Sequence, residues 1–344
     1  MIKRINQILK TGESICRRLP VNLVPEDIWL FSADRQLIVD QVPLLEYENV
    51  NVTPESIVWN GLQIDKNLLI HPHHTGMYNW KYCLSNMIKR TRVKLPDDNY
   101  FLCTDYWAAN YYHWMGDALP RIFLVKDFLP RGVLLLPGQY KAPFFRETLN
   151  SFKIKEVKTI PVKQYFSVPR LYTPPQPVIC GQQYSSLTAE LRNHLVAYFK
   201  PKFTGKHKYK NVYISRRKAA YRWVLNEDQV SNMLASLGFK VLCFEDFSLH
   251  EQVEIAYNAE NLVSAHGANL TNLFYMQPGT NVLEFRKSIE HSGNNSFWIM
   301  ADSIDVNYYY LNCDYIDRRK GNYFDLTVDL NELEKVLHQM GALV

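Results

Sequence analysis

The sequence predicts an α/β protein made of two doubly wound halves. Strand-like apolar runs alternate with helical patterns over short connections, and a chain of 344 residues is long enough for two ordinary domains. The alternation is clearest after residue 210. "NVYIS" (211–215) reads as a strand and is followed by the basic loop "RRKAAYRWVL". A helix is expected over "NEDQVSNMLASLG", with Asn226 as its N-cap, acidic residues in the first turn and Gly238 at the stop. "FKVLCF" (239–244) is a strand, "SLHEQVEIAYNAE" (248–260) a helix and "NLVSA" (261–265) a strand. "ANLTNLFYM" is a short helix and "NVLEF" (281–285) a strand after the turn "QPGT". One more helix and strand fit "GNNSFWIMADSIDVNYYYLNC". The tail has apolar residues at 330, 333, 336, 337 and 340, as in an amphipathic helix.

The first half is less regular. Residues 30–75 suggest short strands and loops, and a helix is expected over 111–127. "GVLLLP" (132–137) has the look of a buried strand, "PFFRETLNSFKI" of a helix, and "EVKTIPV" and "PRLYTPP" of strands. This half is therefore also expected to be α/β, behind an irregular N-terminal extension. The lysine-rich "YFKPKFTGKHKYKN" (198–211) is the expected linker, dividing the chain into domains 1–200 and 201–344. Open parallel sheets bind ligands beyond the carboxyl ends of their strands, so the loops after 215, 244, 265 and 285 should face a cleft.

Composition narrows the class. Hydrophobic residues make up 47% and charged residues 21%, as in a folded protein, and the net charge of +5 is small for a dedicated nucleic-acid binder. No nucleic-acid partner is expected. The six cysteines are scattered singly without a CxxC pair, which suits a reducing compartment. "MIKRINQILK" spaces apolar residues at 2, 5, 8 and 9 among basic ones, as in a short amphipathic helix. Docking on its own domain is the plainer reading, and peripheral contact of residues 1–12 with an anionic membrane face is the other. With no stretch of transmembrane length, a cytoplasmic location is expected, at most peripheral to the cell membrane.

Three stretches carry chemistry. "NYYHWMGDALPR" (110–121) puts His113 and Asp117 four apart on one helix face, with Arg121 a turn further on. The pair reads either as a hydrogen bond at a core edge or as a base and its partner lining a cleft. Arg121 reads as a phosphate or acceptor contact, or as a surface residue. "SRRKAAYR" places Ser215, Arg216 and Arg217 after a strand, where arginines suit phosphate oxygens. "HGANLTN" leaves a strand and opens a helix. Its residues His266, Gly267, Ala268, Asn269, Leu270, Thr271 and Asn272 form a candidate anion site, with free N–H groups at the helix start. Neither GxxxxGK[ST] nor GxGxxG occurs. "HPHHTG" (71–76) lacks metal-ligand spacing, and Asp-x-Asp and GxSxG are absent, so no metal and no serine nucleophile are expected. Trp107, Tyr111, Tyr112 and Trp114 are either core aromatics or platforms for sugar faces.

The blocks "NYYHWMGDALPR", "VYISRRKAAYRWVLNEDQV" and "AENLVSAHGANLTNLFYMQPGTNVLEF" resemble, in order and over roughly residues 100–290, glycosyltransferase family 61. The resemblance implies a GT-B-like pair of Rossmann-like domains facing across a cleft, with the donor held mainly by the C-terminal one. It implies an inverting enzyme needing no Asp-x-Asp metal and no cofactor beyond a nucleotide-sugar co-substrate, a UDP-sugar first. The acceptor would be a glycan, lipid-linked in the reading favoured here, in capsular or other surface polysaccharide synthesis. Within it, His113 or Asp117 is the base and Arg216, Arg217 and residues 267–272 meet the leaving group. Glu245 holds the ribose or merely neighbours a helix cap. The alternative is a non-catalytic sugar-nucleotide or phosphoglycan binding protein on the same fold.

Overall fold

The computed structural model describes residues 2–69, 76–288, 295–319 and 323–342. The chain divides into two compact units, Met1–Ser14 with Ile38–Cys180 and Ile15–Leu37 with Gly181–Val344. Among the described residues no helix is long and apolar enough to cross a membrane. The histidines of "HPHHTG" lie outside the described residues.

The first unit opens with a strand, β1 (Ile2–Lys10), where a helix was expected. At the boundary segments, β2 (Glu13–Cys16) and β3 (Gln36–Val39) pair as a small sheet, and α1 (Ile28–Ser32), between them in sequence, belongs to the second unit. The unit's main sheet gathers β4 (Val42–Val52), β5 (Val58–Asn60), β6 (Gln63–Ile64), β7 (Thr91–Lys94), β8 (Tyr100–Leu102), β9 (Val133–Pro137), β10 (Glu156–Ile160) and β11 (Gln164–Thr173). Its order is β10-β9-β8-β11-β4-β5-β6, with β1 on β4 and β7 on β11. β1 is antiparallel to β4, with register shifts between Ile5 and Gln7 and between Ile8 and Lys10. Each bulge inserts a residue into the two-residue alternation, so a strand acquires the spacing of three that imitates a helix.

This sheet is mixed, which corrects the doubly wound expectation for the first half. β7 to β11 pair in parallel, whereas β4 meets β11, β1 and β5 in antiparallel fashion. The apolar runs of its central strands explain the burial: Val50, Val52, Leu135, Val168 and Leu171 form one core. The parallel part carries α2 (Trp80–Lys89), α3 (Tyr111–His113), α4 (Leu119–Leu124) and α5 (Pro143–Leu149). A π turn, Trp114–Ala118, joins α3 to α4. Pro120 has no N–H to give the carbonyl one turn back, and the wider turn just before it accommodates that loss.

The second unit holds α6 (Ser185–Phe199), then β12 (Asn211–Ile214), α7 (Glu227–Ser236), β13 (Lys240–Leu242), α8 (Leu249–Asn258), β14 (Asn261–Ala265), β15 (Asn281–Lys287), α9 (Ser296–Ser303), β16 (Asn307–Arg319), β17 (Tyr323–Thr327) and α10 (Leu330–Gln339). Its sheet runs β13-β12-β14-β15-β16-β17, parallel through β16 with β17 antiparallel at the edge. Helices α7 and α10 pack together on Tyr213, Val263 and Leu283, while α6 packs with α8 and α9. This is a doubly wound sheet whose winding reverses between β12 and β14.

The predicted turn chemistry holds in part: Gly238 adopts φ +83 after α7. Ser248 and Glu251, not singled out in the sequence, close a capping box on α8. Asn226 precedes α7 but does not cap it; its amide bonds both the N–H and the C=O of Val328 instead. The segment opening at Ala268 is a 3-10 helix, Ala268–Tyr275. The division of the chain falls after Cys180, not after residue 200. The expected linker is tied into the second unit, because the N–H groups of Thr204 and Gly205 donate to Glu254 at 2.9 and 2.6 Å.

Candidate functional site

In the first unit, three loops meet at the carboxyl ends of parallel strands. The loop after β8 is pinned by Asp105, whose Oδ1 accepts the N–H groups of Trp107 at 2.7 Å and Ala108 at 3.1 Å. The loop after β9 brings Tyr140, whose hydroxyl donates to the Asp105 carbonyl at 2.8 Å. The loop after β11 brings Gln176 and Cys180. Asn110 then caps the helix by accepting from Tyr112 N–H, which sets His113 in the first turn.

His113 and Asp117 meet across the π turn, with Nδ1 2.8 Å from Oδ2. Asp117 is wholly buried, whereas about a fifth of the His113 side chain is exposed (21%). Gln176 Nε2 donates to Asp117 Oδ1 at 3.3 Å, and Cys180 Sγ lies 3.6 Å from Oδ2 and 3.3 Å from His113 Nδ1. Burial, reinforced by the Asp117 charge, pushes the Cys180 thiol up, so it stays protonated and donates. An ionised carboxylate can only accept. The His113 proton therefore sits on Nδ1, and the lone pair sits on Nε2, the base-competent tautomer. Asp105 is pushed up to about 6, by burial first and by Asp117 next. Nδ1, Oδ2 and Sγ of His113, Asp117 and Cys180 lie within 4.8 Å of one another, a spacing that could also hold a metal ion.

Arg121 does not fit either expectation. It is buried and spends its guanidinium on protein oxygens: Nε on Pro174 O (3.0 Å), Nη1 on Thr104 O (3.3 Å) and Nη2 on Thr173 Oγ1 (3.1 Å). It ties the loops after β8 and β11 together and is neither a surface residue nor placed to meet substrate. Gln176 and Cys180, absent from the sequence reading, join the pair through β11 and leave no local pattern that could announce them.

The second unit gathers its candidate residues where the winding of the sheet reverses, the crevice in which such sheets bind ligands. Arg216 leaves β12 and is buried, with Nε donating to Arg222 O at 3.0 Å and Nη2 to Tyr221 O at 2.9 Å. Burial, then the nearby Arg222 charge, pushes it down to about 10, and it remains a cation at neutral pH. Its guanidinium lies against Gly267 after β14: a Cβ there would sit 2.2 Å from Nη1. Arg217 turns outward to Asp228 at 2.6 Å, and Ser215 Oγ bonds Glu227. Beside them opens a cavity of about 250 Å³, lined by Arg216, Arg217, Trp223, Val224, Leu225 and Glu227.

His266 Nδ1 lies 2.5 Å from Glu284 Oε1, and Tyr308 donates to Glu284 Oε2 at 2.6 Å. Burial lowers the His266 pKa, so the ring is neutral at pH 7. Glu284 was legible only as an acid inside the apolar run "NVLEF". Asn269 Nδ2 donates to Glu245 Oε1 at 3.0 Å, so those two candidates share one patch. Leu270, Thr271 and Asn272 do not bring their side chains to that patch. Their side chains are buried in the unit, because α6, α8, α9 and β14 pack around this short helix on several sides, and within it only Ala268 and Asn269 are partly exposed.

The family model described as Glycosyltransferase 61 matches residues 111–283, from the turn that carries His113 to the strand that carries Glu284. No curated protein matches the chain. With half of its length covered, including His113, Asp117, Arg216 and Gly267, the chain belongs to glycosyltransferase family 61.

Proposed function

We propose that the protein is an inverting glycosyltransferase that moves a sugar from a nucleotide-sugar donor, a UDP-sugar first, to a glycan acceptor during synthesis of a capsular or other surface polysaccharide. The observation that carries this reading is the His113–Asp117 pair, with its buried carboxylate on Nδ1 and its histidine side chain partly exposed. The labour divides as in GT-B enzymes: the first unit supplies the base and the second holds the nucleotide.

The acceptor hydroxyl gives its proton to His113 Nε2 as its oxygen attacks the anomeric carbon. The bond from that carbon to the diphosphate oxygen breaks, and the nucleoside diphosphate leaves with the electron pair. Asp117 steadies the imidazolium as it forms, and its complete burial makes His113 the group that meets the acceptor. Arg216 and the opening N–H groups of the helix at Ala268 supply positive charge for the leaving diphosphate, with Glu245 beside them for the ribose.

The test begins with thermal shift against UDP, GDP, CDP, CMP and dTDP, followed by transfer from the sugar nucleotide that stabilises. NMR of the product should show the anomeric configuration inverted. His113→Ala should lower kcat by about 10²–10⁴-fold with nucleotide stabilisation kept. Retained turnover in that variant overturns the assignment, and binding without any transfer by the wild type favours the non-catalytic alternative.

One observation favours a second reading of the same residues. Ligand atoms of His113, Asp117 and Cys180 close enough to share an ion would suit a zinc-class metal polarising the acceptor hydroxyl. Stoichiometric metal in the purified protein, lost together with activity in Cys180→Ala, would select it; full activity in chelator selects the free base.

A further inference from the structure

Of the four aromatic side chains considered as sugar platforms, three are taken up by the protein. Trp114 is buried and donates to Thr148 Oγ1 at 2.9 Å, Tyr112 is buried, and Tyr111 packs on Phe144 with ring centroids 5.0 Å apart. Trp107 differs. It is 40% exposed and its ring lies 6.0 Å from that of His113, tilted by 40°. Tyr106, 50% exposed, stands nearly perpendicular to it at 5.6 Å and 85°. Two large aromatics thus form an open corner one ring-width from the candidate base.

The corner is built rigidly, since Asp105 holds the N–H groups of Trp107 and Ala108 and Tyr140 anchors the Asp105 carbonyl. It also stands beyond the carboxyl end of β8, where ligands of open α/β sheets bind.

We infer that Tyr106 and Trp107 form the acceptor subsite, in which the CH-rich face of a pyranose ring lies on the Trp107 indole and turns a hydroxyl toward His113. The apolar face of a sugar loses water against an indole while its equatorial hydroxyls stay solvated, so a flat aromatic wall suits a pyranose better than a charged ligand. The inference rests on the reading of His113 as the base. A 6.0 Å spacing between rings leaves room for a hydroxyl at the edge of a stacked sugar to approach the imidazole.

The experiment is a printed glycan array probed with labelled wild type, Trp107→Ala, Trp107→Phe and His113→Ala, with transfer activity measured in parallel. The wild type should bind a set of glycans sharing a terminal pyranose. Trp107→Ala should bind that set about tenfold more weakly, as expected for one lost stacking contact, and Trp107→Phe should fall between. His113→Ala should keep the binding and lose the transfer. A wild type that binds no glycan, or a Trp107→Ala protein that melts like the wild type and binds equally well, overturns the subsite. Normal transfer by His113→Ala fails the base assignment instead, whatever the array shows.

Discussion

The protonation pattern around Asp117 makes a sharper prediction than deletion of the histidine. In the wild type the carboxylate accepts from His113 Nδ1, Gln176 Nε2 and the Cys180 thiol, and the lone pair is left on Nε2. Asp117→Asn keeps size and shape, but its amide can donate to Nδ1 and drive the proton onto Nε2. The imidazole then has no lone pair to offer. We expect kcat to fall by about 10²–10⁴-fold while the donor KM and Tm change little, as measured by steady-state kinetics beside thermal unfolding. A fall in Tm matching the loss of activity would instead make Asp117 a packing residue. The pair itself was legible because a four-residue spacing on a helix fixes proximity, and a π turn between the residues did not separate them. Gln176 and Cys180 were not, because only the pairing of β11 beside β8 carries them to Asp117.

At the level of elements, the alternation of strand and helix after residue 210 was readable because each strand is a short buried run with a turn on either side. β14 spans the expected residues 261–265, and β12, β13 and β15 fall on theirs. The N-terminal segment was misread since bulges in β1 reproduce a helical spacing, and only its partner β4 decides the matter. The same pairings place Arg216 and Gly267 at neighbouring strand ends, with consequences for substitution. Gly267 has φ +152, which side chains rarely adopt, and its hydrogen faces the Arg216 guanidinium. Gly267→Ala should cost about 1–3 kcal/mol in backbone strain alone and push Arg216 from the carbonyls of Tyr221 and Arg222. Urea denaturation reads the first effect, and loss of the thermal shift by nucleotide reads the second. A variant as stable as wild type with its nucleotide shift intact would remove this loop from the donor site.

Across the whole molecule, the division into units could not be read from the chain because residues 15–37 return to the second unit through distant partners. Val21 N–H donates to Tyr308 O at 2.9 Å, and Asn295 Nδ2 donates to Leu30 O and Asp34, each at 2.7 Å. No local propensity encodes contacts across more than 250 residues of sequence, as between Arg18 and Asp302. His266 in the second unit and Asp105 in the first are both buried, and the two respond oppositely to acid. His266 in the second unit has a pKa held below 6.5 by burial, so as pH falls the unfolded state takes the proton first and stability is lost below about 6.5. Asp105 in the first unit is raised from 3.8 to about 6, so there the folded state holds the proton longer. Its contribution is present at low pH and is lost as pH rises from about 4 to about 6. Asp105→Asn keeps the oxygen that accepts from Trp107 and Ala108 and removes the ionisation. Urea titrations from pH 4 to 7 should therefore show a steeper gain of stability with rising pH in this variant than in the wild type, because the opposing Asp105 contribution has gone while that of His266 remains. Parallel profiles would mean that Asp105 ionises alike in the folded and unfolded chains.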